Sequence, residues 1–212
     1  MKPGRFIALE GGEGAGKSTQ ARLLAETLRE RGLEVVTTRE PGGTRGAEAI
    51  RALLLDTQGE GWEPEAEALL FAAARADHVA RLIRPAIERG AWVVCDRFLD
   101  SSRAYQGGGL GLEDADILML HRFGSGGLVP DLTILIEVEA REVAQRLARR
   151  DEGADDRIGG RGREFHERVA SAFQRFADAE PERFSQVDGS GSIDATHRAI
   201  LAAVEPLMES CQ

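Results

Sequence analysis

The stretch Gly11-Gly12-Glu13-Gly14-Ala15-Gly16-Lys17-Ser18 fits the pattern G-x-x-x-x-G-K-S/T. An apolar run, Phe6–Leu9, precedes it and a helical pattern beginning near Thr19 follows, so these eight residues join a strand to a helix. Glycines let a backbone wrap closely around phosphate oxygens, and a helix N-terminus adds oriented N–H donors. Lys17 then suits the β- and γ-phosphates of a nucleoside triphosphate, and Ser18 suits Mg²⁺. The chain has 27 Lys and Arg, of which only Lys2 and Lys17 are lysine. The one lysine away from the terminus therefore falls where a compact ammonium and a broad guanidinium do different work.

Outward from this loop, short β-favouring runs alternate with long helical patterns. The strand candidates are Phe6–Leu9, Glu34–Thr38, Trp92–Cys95, Leu132–Glu137 and Phe184–Val187. Ala21, Leu24 and Leu28 keep helical spacing up to Gly32; Leu69, Ala72, Ala73, Ala76, Val79, Ala80 and Ile83 form a longer face ending near Gly90. The alternation predicts an α/β fold of three layers, α/β/α, around a five-stranded parallel sheet with ligand loops at the carboxyl ends of the strands. Two segments read as mobile loops, Gly107–Gly111 and the charged run Arg149–Arg163. A solvated surface loop also accounts for that charge run.

The 212 residues suit one domain, 1–212, with a lid at about 149–163, and 42% hydrophobic residues suffice for a core. No apolar run approaches the ~18–20 residues of a membrane helix, and Phe6–Leu9 is too short for a signal peptide. Cys95 and Cys211, the two cysteines, have no metal-ligand spacing. A soluble, cytoplasmic protein without disulfides is expected. A net charge of −9 disfavours nucleic acid and anionic membranes as partners. With no asparagine anywhere, the guanine-reading Asn-Lys-x-Asp pattern of GTPase switches is absent in its usual form.

Three further segments, Thr38-Arg39-Glu40-Pro41-Gly42-Gly43-Thr44, Asp96-Arg97-Phe98 and Ser101-Ser102-Arg103-Ala104-Tyr105-Gln106-Gly107, resemble thymidylate kinase. With Glu10 through Ser18, in this order and spacing, the resemblance spans almost the whole chain. It implies the P-loop nucleoside monophosphate kinase fold with a mobile lid, and transfer of a phosphoryl group from ATP to dTMP, giving ADP and dTDP, with Mg²⁺. By the same resemblance ATP lies on Gly11, Gly12, Glu13, Gly14, Ala15, Gly16, Lys17, Ser18 and Thr19. Glu13, Arg39, Phe71, Arg75, Arg97, Ser102, Tyr105 and Gln106 are implied to hold dTMP.

These roles make physical sense. Phosphoryl transfer brings two anions together in line, so cations must neutralise both. Arg97 can bridge the acceptor phosphate and the transferred group, while Asp96 holds a Mg²⁺-bound water or orients Arg97. Arg39 suits the acceptor phosphate; Arg51 fits that site and a solvated helix face equally, and Pro41-Gly42-Gly43 suits a tight turn beneath it. Phe71 and Arg75 share a helix face. Spacing alone reads them as a core Phe with a snorkelling Arg, and only the resemblance makes them a thymine stack and a hydrogen-bond donor. Tyr105, the single tyrosine, would exclude a ribose 2′-OH, and Glu13 would accept from the 3′-OH. Since no arginine stands between Gly11 and Ser18, the chain resembles bacterial members whose lid supplies it, here Arg157 as a catalytic residue beside Lys17, Arg97 and Asp96. The resemblance leaves Arg161 and Arg163 without assigned roles. Val187-Asp188-Gly189-Ser190 fits backbone contacts to adenine or a plain turn. A homodimer is implied. The rival expectations are a P-loop kinase for another nucleotide or a deoxynucleoside, and an ATP-dependent switch.

Overall fold

The computed structural model describes residues 4–58, 60–139, 142, 146 and 157–209. Five strands, β1 (Phe6–Glu10), β2 (Val35–Arg39), β3 (Trp92–Asp96), β4 (Leu132–Glu137) and β5 (Phe184–Asp188), form one sheet in the order β2-β3-β1-β4-β5. Every neighbouring pair is parallel. Each expected strand is present, and four extend one residue further or shift by one toward the carboxyl end, where the functional loops begin.

The central strands β1, β3 and β4 are buried along almost their whole length because helices cover both faces of the sheet. Ile7 and Leu9 of β1, with Val94 and Ile134, pack against Leu24 and Leu28 of α1 (Lys17–Glu30) and Ile200 and Val204 of the C-terminal helix α8 (Ile193–Glu209). Phe6 and Ala8 point the other way. With Val93 and Cys95 they meet Ala68 of α3 (Pro64–His78), the π-helical turn Val79–Ile83, Ala86 of α4 (Arg84–Glu88) and Ile117 of α6 (Asp114–Ser125). A third cluster joins Leu135 of β4 to Tyr105 and to Phe165, Val169 and Phe173 of α7 (Arg163–Ala179). The remaining helices are α2 (Arg45–Leu55) and the short α5 (Leu99–Ser102).

The reading of Gly107–Gly111 as a mobile loop is corrected. Residues Arg103–Gly109 form a π-helical segment continuous with α5, and Gly107 and Gly109 are buried. A Cβ on Gly108 would lie 2.5 Å from the Ala172 side chain, and one on Gly109 would lie 2.4 Å from the Phe165 ring. Here glycine permits close approach to α7. Of the expected lid, 149–156 lies outside the described residues, as does Cys211; Cys95 is a buried free thiol.

Candidate active site

The phosphate-binding loop follows β1 because glycine is required at both its ends. Gly11 sits at φ +137°, where a Cβ would lie 2.4 Å from the Ile136 carbonyl of β4. Gly16, in the left-handed region at φ +89°, caps α1. Lys17 is buried with its Nζ donating to the Gly12 carbonyl at 2.6 Å, and burial lowers its ammonium pKa to about 8.

β3 ends beside β1 and delivers Asp96 and Arg97. Arg97 adopts φ +69°, unusual for a residue with a side chain. Its N–H bonds to Leu9 O at 2.9 Å, and the following turn is gripped by a carboxylate that sequence reading did not single out. Glu10 Oε1 accepts from the N–H groups of Phe98 (2.8 Å) and Ser101 (3.1 Å), and Oε2 accepts from Ser101 Oγ (2.5 Å). Burial, with Asp100 adding to it, pushes the Glu10 pKa up to about 7. The available signal was a lone acid closing an apolar strand run before Gly11.

Arg97 reaches across the cleft. Nη1 donates to Gly11 O and Ser101 Oγ, both at 3.1 Å, and Nη2 to Glu13 Oε1 at 2.6 Å and Tyr105 OH at 3.0 Å. Tyr105 OH donates in turn to Glu13 Oε1 at 3.3 Å. The Arg97 guanidinium holds the Glu13 carboxyl down at about 2. Asp96 Oδ2 accepts from Ser18 Oγ, while buried Asp96 Oδ1 has no hydrogen-bond partner among the described residues. A hydroxyl beside a spare carboxylate oxygen is a donor set that fits Mg²⁺.

These groups border a cleft of about 460 Å³ that runs from Gly14–Thr19 past Asp96 and Arg97 to Arg39, Arg51, Phe71, Tyr105 and Gln106. Gly11 and Gly12 are not among the residues that line it. Arg39 pairs with Glu48 at 3.0 Å, and Arg51 donates to Pro41 O at 2.8 Å, just after the cis Glu40-Pro41 bond. Arg75 and Ser102 are buried at the rear: Arg75 Nε donates to Glu40 Oε2 at 2.7 Å, and Nη2 to Ser102 Oγ at 2.8 Å and Phe98 O at 3.1 Å. Glu40 also lies 3.0 Å from His78 Nδ1, whose Nε2 is 2.7 Å from Thr38 Oγ1. Sequence reading assigned no role to Glu40, quoted only within the Thr38–Thr44 segment, or to His78, because their pairing joins residues 38 apart in the chain. At the other end of the cleft stand Gly189, from the segment that fits adenine contacts or a plain turn, and Arg146, Gly191, Ile193 and Thr196, which sequence reading did not single out. Arg146 Nη2 donates to Gly189 O at 2.6 Å.

Arg157 is not among the groups lining the cleft. Its Nε and Nη2 donate to the carbonyls of Asp56 and Gln58, both at 2.6 Å, in the segment after α2. Arg161 instead pairs with buried Glu67, and Arg163 pairs with Glu167 on the exposed face of α7.

A phosphate-binding loop facing several arginines across one cleft, on this sheet order, defines a kinase of the P-loop nucleoside monophosphate kinase class. Residues 9–200 match the family model for thymidylate kinase. The chain is 56% identical to thymidylate kinase of Rhizorhabdus wittichii over 97% of its length and 99% of that relative, and 47% identical to that of Pseudomonas putida over 99% of both. A crystal structure of thymidylate kinase from Ehrlichia chaffeensis superposes with a TM-score of 0.77 at 33% identity, covering 96% of this chain and 99% of that one. The chain belongs to the thymidylate kinase family.

Proposed function

We propose that this chain transfers the γ-phosphoryl group of ATP to dTMP, giving dTDP and ADP. The observation that carries the reading is one continuous cleft with Lys17 and Ser18 at one side, Arg39 and Phe71 at the other, and Arg97 between them. Two anions held on opposite walls and a cation where they meet suit in-line transfer. Lys17 binds the β- and γ-phosphates, with the loop amides of Gly11 through Thr19. Arg97, already fixed by Glu13, Tyr105 and Ser101, bridges transferred and acceptor oxygens without reorganising. Arg39 holds the acceptor phosphate. Phe71 stacks on thymine, Arg75, Ser102 and Gln106 surround its polar edge, Tyr105 packs on the sugar, and Glu13 accepts from the 3′-OH.

Ser18 and Asp96 would hold Mg²⁺, Asp96 through water, and the ion supplies charge neutralisation at the phosphates. Arg157 is assigned to the donor phosphates on closure of the lid near 149–163. The single domain 1–212 acts as a homodimer through α3 and α6, which pack together and expose Leu69 (56%), Met119 (61%) and Phe123 (93%). No described helix is long and apolar enough to cross a membrane, and the assigned compartment is the cytoplasm.

A coupled assay of ADP release, with and without dTMP and against dUMP, dCMP and thymidine, tests the reaction. Release is expected to require dTMP; turnover without an acceptor would favour an ATP-dependent switch, and faster turnover of another acceptor would reassign the substrate.

A further inference from the structure

Glu67 projects from α3 into the protein interior and is 1% exposed, yet it belongs to neither the phosphate loop nor the cleft lining. A buried carboxylate must spend its lone pairs on donors. Its Oε1 accepts from Gln106 Nε2 at 2.9 Å and Arg161 Nη1 at 3.2 Å, and its Oε2 accepts from Arg161 Nη2. Arg161 lies in the last residues of the expected lid segment, over the Phe165 ring at 4.7 Å from its centroid.

Gln106 is also 1% exposed and lines the cleft. An amide can usually be turned over to exchange its oxygen and nitrogen. Here it cannot: an ionised carboxylate only accepts, so the NH₂ must face Glu67. The other end of the amide, Oε1, is then an acceptor, buried and without a hydrogen-bond partner among the described residues. A buried acceptor left unmatched costs free energy that a ligand N–H recovers.

We infer that Glu67 is a positioning residue that, held by Arg161, fixes the Gln106 amide as an acceptor and so selects a pyrimidine carrying hydrogen at N3. This rests on the dTMP kinase reading. Thymine and uracil present an N3–H donor, whereas cytosine presents a bare N3 acceptor that would face Gln106 Oε1 oxygen to nitrogen, lone pair to lone pair. A site built around a hydrogen bond rejects a base that cannot complete it. The same carboxylate ties Arg161, at the C-terminal end of the 149–163 segment, to the acceptor side of the cleft.

Glu67→Gln gives the test a direction. Arg161 still needs an acceptor, so the new amide oxygen turns to Arg161 and its NH₂ turns to Gln106. Gln106 must then present oxygen to that NH₂ and its own NH₂ to the base. Kinetics with dTMP, dCMP and ATP on wild type, Glu67→Gln and Glu67→Asp, with melting curves, read this out. Glu67→Gln should lower the dTMP-to-dCMP ratio of kcat/KM by roughly tenfold or more and leave KM for ATP near wild type. Discrimination is not abolished, because donor-only Arg75 also disfavours the cytosine amino group. Glu67→Asp keeps an acceptor-only carboxylate and should retain the ratio within about threefold while KM for dTMP rises. A ratio unchanged in Glu67→Gln, or one that collapses in Glu67→Asp, overturns the pairing. If Glu67→Gln does not fold, Glu67→Asp alone decides. Wild-type preference for dCMP would overturn the substrate reading and this inference together, whereas wild-type preference for dTMP that survives in Glu67→Gln overturns only the inference.

Discussion

Replacing Glu10 by Gln should change how stability depends on pH. In the folded protein burial raises this carboxyl to about 7, against 4.5 for the free group. An acid whose pKa is raised on folding binds its proton more tightly in the native state, so its contribution is fully present below about 4.5 and is lost as pH rises through about 7. At about 1.4 kcal/mol per unit, the shift amounts to about 3 kcal/mol. The substituted amide cannot titrate, but it can preserve much of the geometry: its oxygen accepts from the Phe98 and Ser101 amides while its NH₂ meets Ser101 Oγ. The wild-type minus Glu10→Gln difference in unfolding free energy should therefore fall by about 3 kcal/mol between pH 4.5 and 7.5 and then level off. Urea unfolding at half-unit pH steps measures it, since titrations common to both proteins cancel in the difference. A difference flat to within about 0.5 kcal/mol would show that Glu10 is ionised in the native state throughout, and that its three donors outweigh its burial.

Other substitutions address the reaction itself. Lys17→Ala, and also Lys17→Arg, should abolish phosphoryl transfer with unchanged circular dichroism, because a guanidinium does not fit the space where Nζ meets Gly12 O; near-normal turnover in either refutes the loop assignment. Phe71→Ala should raise KM for dTMP far more than KM for ATP, and Tyr105→Ala should improve the relative use of ribothymidine monophosphate; equal changes for both substrates would make these residues core packing. Arg157→Ala should lower kcat roughly 10²–10³-fold with KM for dTMP nearly constant if closure brings it to the phosphates. A loss below tenfold would leave it as the anchor of the segment at Asp56 and Gln58.

The sheet was legible in the sequence because its strands are short β-favouring runs, the central three almost wholly apolar, each followed by a loop rich in glycine or charge; the five runs differ from the observed strands by at most a residue or so at their ends. The phosphate loop was legible because its chemistry is local, with Gly11, Gly16, Lys17 and Ser18 acting through backbone geometry set within one turn. What stayed hidden was how distant side chains use one another's hydrogen-bonding capacity. Arg75, Arg157 and Arg161 look alike in sequence, three arginines near candidate pocket segments. In the fold Arg75 is spent largely on Glu40, Ser102 and Phe98, Arg157 on two backbone carbonyls, and Arg161 on Glu67. Those partners lie between 23 and 101 residues away. The same limit turned Gly107–Gly111 into an expected loop, for a glycine needed to let Phe165 or Ala172 approach is spelled like one needed for freedom. Arg97 marks the boundary: its place after a strand could be read, but the four acceptors that aim it come from Gly11 and Glu13 of the phosphate loop and from Ser101 and Tyr105 of the helical segment after β3. An arginine so constrained has lost its conformational freedom before any substrate arrives, and that prior ordering is what the proposed bridging of both phosphates by a single guanidinium would require.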